Sequence, residues 1–351
     1  MEDADSLILL CRPGFEKECL AEVTAAAATL GHGGWARVEP DSGWIRFQTA
    51  EANRLYSTLP SLVFARECWP LLAELQGLPN HDRIAPILQA LQGQAPAGLL
   101  FCDTAEGDGY RATARFAGKF IHPLRQALRQ HDLLTPKDRP DLSAWHALFL
   151  DSGHVLLGLD GPERRPGWPM GIARLKFPPQ APSRSTLKLE EAFHVFLGKH
   201  WRRQLQDSFT AVDLGAAPGG WTWQLVRQGL QVQAIDNGPM DDELMASGQV
   251  EHLHVDGFTW VPEHPVDWLV CDMVESPYRV AERMLDWLVQ GWTRNVICNL
   301  KLPMKKRWQT WQDIEQTLRA RLAETGQPWQ VQARQLYFDR EEITLCIRPD
   351  A

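Results

Sequence analysis

Residues 211–220 read Ala-Val-Asp-Leu-Gly-Ala-Ala-Pro-Gly-Gly, and a helical run from Trp221 to Gln228 follows directly. Phe209 to Leu214 has the length and apolar character of a buried parallel strand. Gly215, Gly219 and Gly220 permit a tight turn with no Cβ in the way, so the backbone is expected to lie close to a ligand. The first N–H groups of the helix would face that ligand. A second strand, Val232 to Asp236, ends on an acid about twenty residues further on. Nucleotide-binding folds set a carboxylate on a ribose hydroxyl at that distance.

The turn departs from the dinucleotide pattern G-x-G-x-x-G. A pyrophosphate needs a row of free N–H groups, and Pro218 has none. A ligand built on adenosine but lacking phosphates suits the turn better. S-adenosylmethionine (SAM) is such a ligand. A purely structural turn would read the same way, but acids recur at strand ends further along.

Downstream, strand and helix alternate, with strands near Ala211, Val232, Glu251, Trp268 and Val296. That alternation predicts a parallel sheet, closed by an antiparallel pair at Val331 to Phe338 and Glu342 to Arg348. Upstream, Ser183 opens a helix running to about Leu197, with Ser185 or Thr186 as N-cap. Before it, residues 160–182 hold Pro162, Pro166, Pro169, Pro178, Pro179 and Pro182, a stiff tether with no regular element.

The N-terminal half reads as α+β. A β-α-β-β-α-β order is expected, with strands at Leu7 to Cys11, Trp35 to Val38, Gly43 to Gln48 and Leu62 to Trp69. Helices are expected at Phe15 to Leu30 and Glu51 to Ser57. A second unit follows, with helix Ile84 to Leu91, strand Leu99 to Thr104 and a basic helix Pro123 to His131. A hairpin, Trp145 to Leu150 and His154 to Leu159, ends it.

Hydrophobic content of 44% and charged content of 23% over 351 residues fit a folded protein of two or three domains. No signal peptide or membrane span is expected, because the acidic start and the short run Leu7 to Leu10 fit neither. The seven cysteines form no C-x-x-C pair, so neither a zinc site nor a disulfide framework is expected. His252 and His254 lack a third ligand and read as structural. A net charge of −8 argues against a uniformly basic nucleic-acid binder without excluding one, because binding depends on the local field. Two stretches are nonetheless locally basic. One holds Arg111, Arg115, Lys119, Arg125 and Arg129; the other holds Arg164, Arg165, Arg174, Lys176, Arg184 and Lys188. Such runs favour a phosphate-bearing substrate.

Four of the five parallel strands end in acids: Asp213, Asp236, Asp256 and Asp272. Ligands of open α/β sheets bind beyond those strand ends, so the acids are expected to share one crevice. Lys301 follows the last parallel strand and falls on the same side. It reads as an ion-pair, phosphate or solvent contact, or as a general base. A lysine accepts a proton only when neutral, a state favoured by desolvation and a second cation. Lys188 is the candidate second cation, with Asp272 and Glu342 to position the ammonium groups.

The segments Asp213 to Trp221, Cys271-Asp-Met, Asn299-Leu-Lys-Leu-Pro and Arg340-Glu-Glu together resemble FtsJ-type RNA ribose 2'-O-methyltransferases. The resemblance implies a Lys-Asp-Lys-Glu tetrad of Lys188, Asp272, Lys301 and Glu342, with Lys301 as the base. Glu341 adjoins Glu342 and competes for that place. Cys11 to Cys19, Met170 to Pro178, Ser183 to Glu191 and Leu302-Pro-Met-Lys-Lys-Arg resemble the bacterial RlmM family more narrowly. That likeness runs nearly end to end. It implies 2'-O-methylation of one cytidine in 23S rRNA, near the peptidyl transferase centre.

It also implies a Rossmann-like SAM-dependent methyltransferase domain, residues 183–351, behind a Pro-rich basic linker, 161–182. A ferredoxin-like domain, 1–75, and a THUMP RNA-binding domain, 76–160, are expected to precede them. SAM contacts are expected from Ser185, Ala217, Pro218, Gly219, Gly220, Asp236, Asp256 and Asp272, joined by Asp213 and Gly215 of the turn. The expected partner is 23S rRNA. No metal or membrane is expected, and the chain is expected to be a cytoplasmic monomer.

Other chemistries fit worse. Amino-methylating enzymes commonly carry N-P-P-Y after the fourth strand, whereas Glu275-Ser-Pro-Tyr278 has one proline and comes later. Carbon-5 methylation of pyrimidines needs a cysteine nucleophile, and Cys271 lacks the Pro-Cys context. The rival readings are an NAD-dependent dehydrogenase on the same sheet and an RNA-binding assembly factor with a vestigial site.

Overall fold

The computed structural model describes residues 4–350, which divide into two compact units at Ala173/Arg174. In the first unit the elements run β1 (Ser6–Cys11), α1 (Glu16–Thr29), β2 (Trp44–Gln48), α2 (Ala52–Thr58), β3 (Ala65–Leu75), α3 (Ile84–Ala90), β4 (Leu99–Asp103), α4 (Arg111–Gln130), β5 (Ala144–Asp151) and β6 (His154–Asp160). They build one six-stranded sheet in the order β2-β1-β3-β6-β5-β4.

Strand β3 joins the two halves of that sheet. Its first part pairs with β1, as far as Leu7 opposite Pro70, and its second part pairs with β6 from Leu71. Pro70 has no N–H to give a ladder, and the change of partner falls at it. Close packing follows there: a Cβ on Gly158 would overlap the ring of Trp69.

Three expectations for this half are corrected. Residues 36–38 form no strand; Trp35 makes only an isolated bridge to Gln48 and is largely exposed. The basic helix begins at Arg111 rather than Pro123, which lies inside it. Phe116, Phe120, Leu124 and Leu128 recur every fourth residue against one apolar cluster, and that stripe outweighs the local cost of the proline. The proline-rich stretch also contains a 3-10 turn, Pro169–Gly171.

The second unit runs α5 (Thr186–Leu197), β7 (Thr210–Leu214), α6 (Gly220–Arg227), β8 (Gln231–Ile235), α7 (Asp242–Met245), β9 (Val250–Leu253), β10 (Val266–Cys271), α8 (Pro277–Val289), β11 (Thr293–Lys301), α9 (Arg307–Ala323), β12 (Trp329–Arg334) and β13 (Glu342–Pro349). Its seven strands lie in the order β12-β13-β11-β10-β7-β8-β9. β7 to β11 are mutually parallel, and β13 is antiparallel to both β11 and β12. The expected strands and the antiparallel closure are present, except that the strand expected at Val331 to Phe338 runs Trp329–Arg334 and residues 335–338 form a loop instead. Trp268 to Cys271 are four successive buried residues, as both-face coverage of a parallel strand requires. Helices α5 and α6 pack on one apolar cluster with Trp201, Trp268, Val270 and Ile297. Strand order reverses between β7 and β10, and a crevice opens beyond the carboxyl ends of strands at such a point.

Candidate active site

The reversal point collects the expected residues from four elements. Asp272 directly follows β10, Lys301 ends β11, Glu342 begins β13, and Lys188 lies in the first turn of α5. Lys188 Nζ is 3.4 Å from Asp272 Oδ1 and 3.7 Å from Glu342 Oε1. A cation at a helix N-terminus opposes the helix dipole, so these carboxylates offset an unfavourable placement.

Strand register brings the fourth member in. Lys301 stands directly opposite Glu342, and Asn299 directly opposite Thr344. Side chains two apart on a strand share a face, so all four project to one side. Thr344 Oγ1 donates to Asn299 Oδ1 at 2.8 Å, and Asn299 Nδ2 donates to Asp272 Oδ1 at 2.8 Å. Thr344 also meets the buried Asp339, whose Oδ2 accepts the Leu336 N–H at 2.9 Å. Glu191 of α5 accepts the N–H groups of Tyr337 and Phe338, at 2.9 and 3.0 Å. The loop that delivers Glu342 is thus tied to the helix that delivers Lys188.

Electrostatics separates the two acids. Burial pushes the Asp272 carboxyl above its ordinary range, against the pull of Lys188 and the Asn299 hydrogen bond. Burial raises Glu342 too, but Lys188, backbone N–H groups and Lys301 outweigh it and leave it lowered. Lys301 is exposed, and among the described residues it forms no ion pair. Of the tetrad it is the amine open to an incoming group.

Glu341 and Glu342, both open from sequence, are distinguished by geometry. Glu342 faces Lys188, whereas Glu341 pairs with Arg307. Asn299, Thr344, Asp339 and Glu191 were not anticipated. For the first two a signal existed: each lies two residues from a tetrad member along a strand.

The glycine turn is packed differently from expectation. Gly219 has φ 116°, a left-handed value, and a Cβ on Gly220 would overlap the hydroxyls of Ser183 and Ser185. A Cβ on Gly215 would meet Met273. These glycines therefore seat the turn against protein. Ser185 is the N-cap residue of α5, and its hydroxyl bonds that of Ser183 at 2.7 Å. The N–H groups of Gly215 and Ala216 go to the Ile235 carbonyl, and that of Ala217 to Asp236 Oδ2 at 3.0 Å. With Pro218, four successive positions have no free donor for a pyrophosphate.

Asp236 is half-buried at the end of β8 and takes the Gly238 N–H at 2.7 Å as well. A carboxylate has about four acceptor sites, so it retains capacity for ribose hydroxyls. Asp256 is exposed and caps its own turn through the Phe258 N–H at 2.9 Å. Asp213 is fully buried, accepts the Thr222 hydroxyl at 2.6 Å, and leaves Oδ1 without a hydrogen bond. Burial pushes its carboxyl up to about 7. Asp213 sits beneath the turn rather than on the open edge. Cys271 is fully buried and its thiol is pushed far above the ordinary range by burial, so it packs and does not attack.

The chain resembles known proteins over its whole length. Residues 4–69 match the RlmM ferredoxin-like domain family, and residues 82–160 match the family described as ribosomal RNA large subunit methyltransferase M, N-terminal. Residues 181–300 match the FtsJ-like methyltransferase family. The chain is 47% identical to the ribosomal RNA large subunit methyltransferase M of Xanthomonas campestris pv. campestris (strain B100), over 97% of this chain and 98% of that protein. It is 46% identical to the protein of the same name from Klebsiella pneumoniae, over 98% of this chain and 96% of that one.

Proposed function

The chain is a methyltransferase of the ribosomal RNA large subunit methyltransferase M family, and from that premise we propose that it methylates the 2'-oxygen of a cytidine in 23S rRNA, using SAM. The observation that carries the catalytic part is the convergence of Lys188, Asp272 and Glu342 around the strand pair that presents Lys301.

The donor set fits SAM. Asp236 offers acceptors for a ribose diol, while Asp272 and the neighbouring acids suit a positively charged methionine end. At positions 215–218 the turn offers no free N–H to a dinucleotide pyrophosphate, which weighs against the dehydrogenase reading. Ser185, Gly215, Ala217, Pro218, Gly219, Gly220 and Asp256 would complete the pocket wall, with Asp213 supporting it from below. Bound SAM supplies a methyl already activated on a sulfonium, so no metal is required.

The protein's own task is then to hold a ribose and remove its proton. Lys301 Nζ accepts the proton of the 2'-hydroxyl as oxygen becomes the nucleophile. Lys188 is the second cation of the cluster. Asp272 and Glu342 hold Lys188 and limit the net charge. Asn299 and Thr344 fix Asp272 in place. We assign residues 1–75 and 76–160 as ferredoxin-like and THUMP-type RNA-binding modules, 161–182 as the linker and 183–351 as the catalytic domain. The proposed setting is a cytoplasmic monomer acting on rRNA; no helix among the described residues is long and apolar enough to cross a membrane.

Mass mapping of 23S rRNA from a strain lacking the gene tests this. The reading predicts the loss of one ribose methyl on a cytidine and its return on complementation. A methyl still present would favour an assembly factor with an inactive site.

A further inference from the structure

The most exposed large hydrophobic side chains of the described residues are Met304, at 82%, and Val274, at 79%. Neither is placed at random. Val274 follows Asp272 by two residues and Met304 follows Lys301 by three, so each stands in the loop leaving a tetrad strand. β10 and β11 are parallel neighbours, and both loops therefore emerge at one edge. Two large apolar side chains left in water at the edge that presents the proposed base point to a surface that something covers.

The Met304 loop is anchored at both ends by one residue. The Leu302 N–H donates to the Glu341 carbonyl at 3.1 Å, and the Arg307 guanidinium binds the Glu341 carboxylate. Lys306 has φ 61°, a left-handed value uncommon for a lysine. Between the anchors Pro303, Met304, Lys305 and Lys306 are all exposed. The result is a fixed lip that carries one apolar side chain and two ammonium groups. A single unstacked nucleotide asks for that combination, with apolar surface on its base and cations on its phosphates.

We infer that residues 303–306 and Val274 form the clamp for the acceptor nucleotide. Met304 and Val274 cover the base, and Lys305 and Lys306 meet the flanking phosphates. The inference rests on the RNA-methylating reading above.

The test uses the full-length protein, SAM and 23S rRNA isolated from a strain lacking the gene. Met304→Ala should raise KM for rRNA roughly tenfold with SAM affinity unchanged, and Met304→Leu should restore most of it. The double variant Lys305→Ala/Lys306→Ala should reduce the slope of log affinity against log salt by about 1.4, the share of two phosphate contacts to a single strand. Met304→Ala should leave that slope alone. The inference is overturned if wild type is active while KM and salt slope stay at wild-type values in every variant. It is also overturned if Met304→Ala weakens SAM binding instead. An inert wild type would overturn the RNA-methylating reading and the clamp together.

Discussion

Lys301 and Glu342 stand directly opposite one another across the antiparallel ladder of β11 and β13. The chain separates them by a helix and a strand, and the ladder restores their contact without any flexible loop. The proposed base therefore sits on rigid elements, which suits a group whose position matters to fractions of an ångström.

Replacing Glu342 with Gln should lower the rate of methyl transfer by roughly a hundredfold with little effect on KM for rRNA. Replacing Glu341 with Gln should do the reverse, because it removes the charge from the Arg307 pair at the far end of the lip while the backbone anchor at Leu302 stays. Steady-state kinetics on the two variants separates them; a matching loss of rate in Glu341→Gln would contradict the assignment.

Asn299→Ala removes the donor that orients Asp272 and leaves Thr344 without that partner. One lost hydrogen bond to a charged group amounts to about 1.5–3 kcal/mol, so a tenfold or larger fall in kcat is expected. Asp272→Asn combined with Asn299→Ala should cost less than the sum of the single losses. Strict additivity in that cycle would show that the two side chains act independently.

Asp213 gives a pH signature. Its carboxyl rises from 3.8 to about 7 on folding. A raised folded value means that its contribution to stability is present below 3.8 and is lost as pH rises through about 7. Asp213→Asn mimics the protonated form. Its stability advantage over wild type should grow from about pH 4 and level off above about pH 7, reaching on the order of a few kcal/mol. Denaturant unfolding across that range measures it, and a pH-independent difference would refute the cause.

Ligand choice can be read by thermal shift. SAM at about a hundred times its Kd should stabilise the native state by roughly 2.7 kcal/mol. NAD at the same concentration should give no comparable shift, since positions 215–218 of the turn have no free donor for its pyrophosphate. Stabilisation by NAD alone would reverse the cofactor assignment.

The catalytic half was legible because β7, β10 and β11 carry apolar runs and an acid or a lysine stands at or just beyond the end of each parallel strand. Asp236, Asp272 and Lys301 could be placed from that punctuation alone. The glycines were legible as a turn, but not in what they pack against. Whether Met273, Leu244 or a ligand fills the space above a glycine depends on residues far along the chain. Asn299 and Thr344 were within reach of period-two reasoning, yet polar residues in a buried strand read as packing until a partner is known. The long helix α4 was truncated because Pro123 looked like a start, while the aromatic stripe holding its first half belongs to tertiary packing. The shared strand β3 was hidden for the same reason, since only pairing reveals that one strand serves two partners.

The central claim is that Lys301 takes the proton from the attacking ribose oxygen. Single-turnover methyl transfer by Lys301→Ala, with SAM affinity measured on the same preparation, tests it most directly. The account predicts unchanged SAM affinity and a rate reduced by about 10²–10⁴, the range a general base contributes. Transfer at the wild-type rate with SAM bound would contradict it.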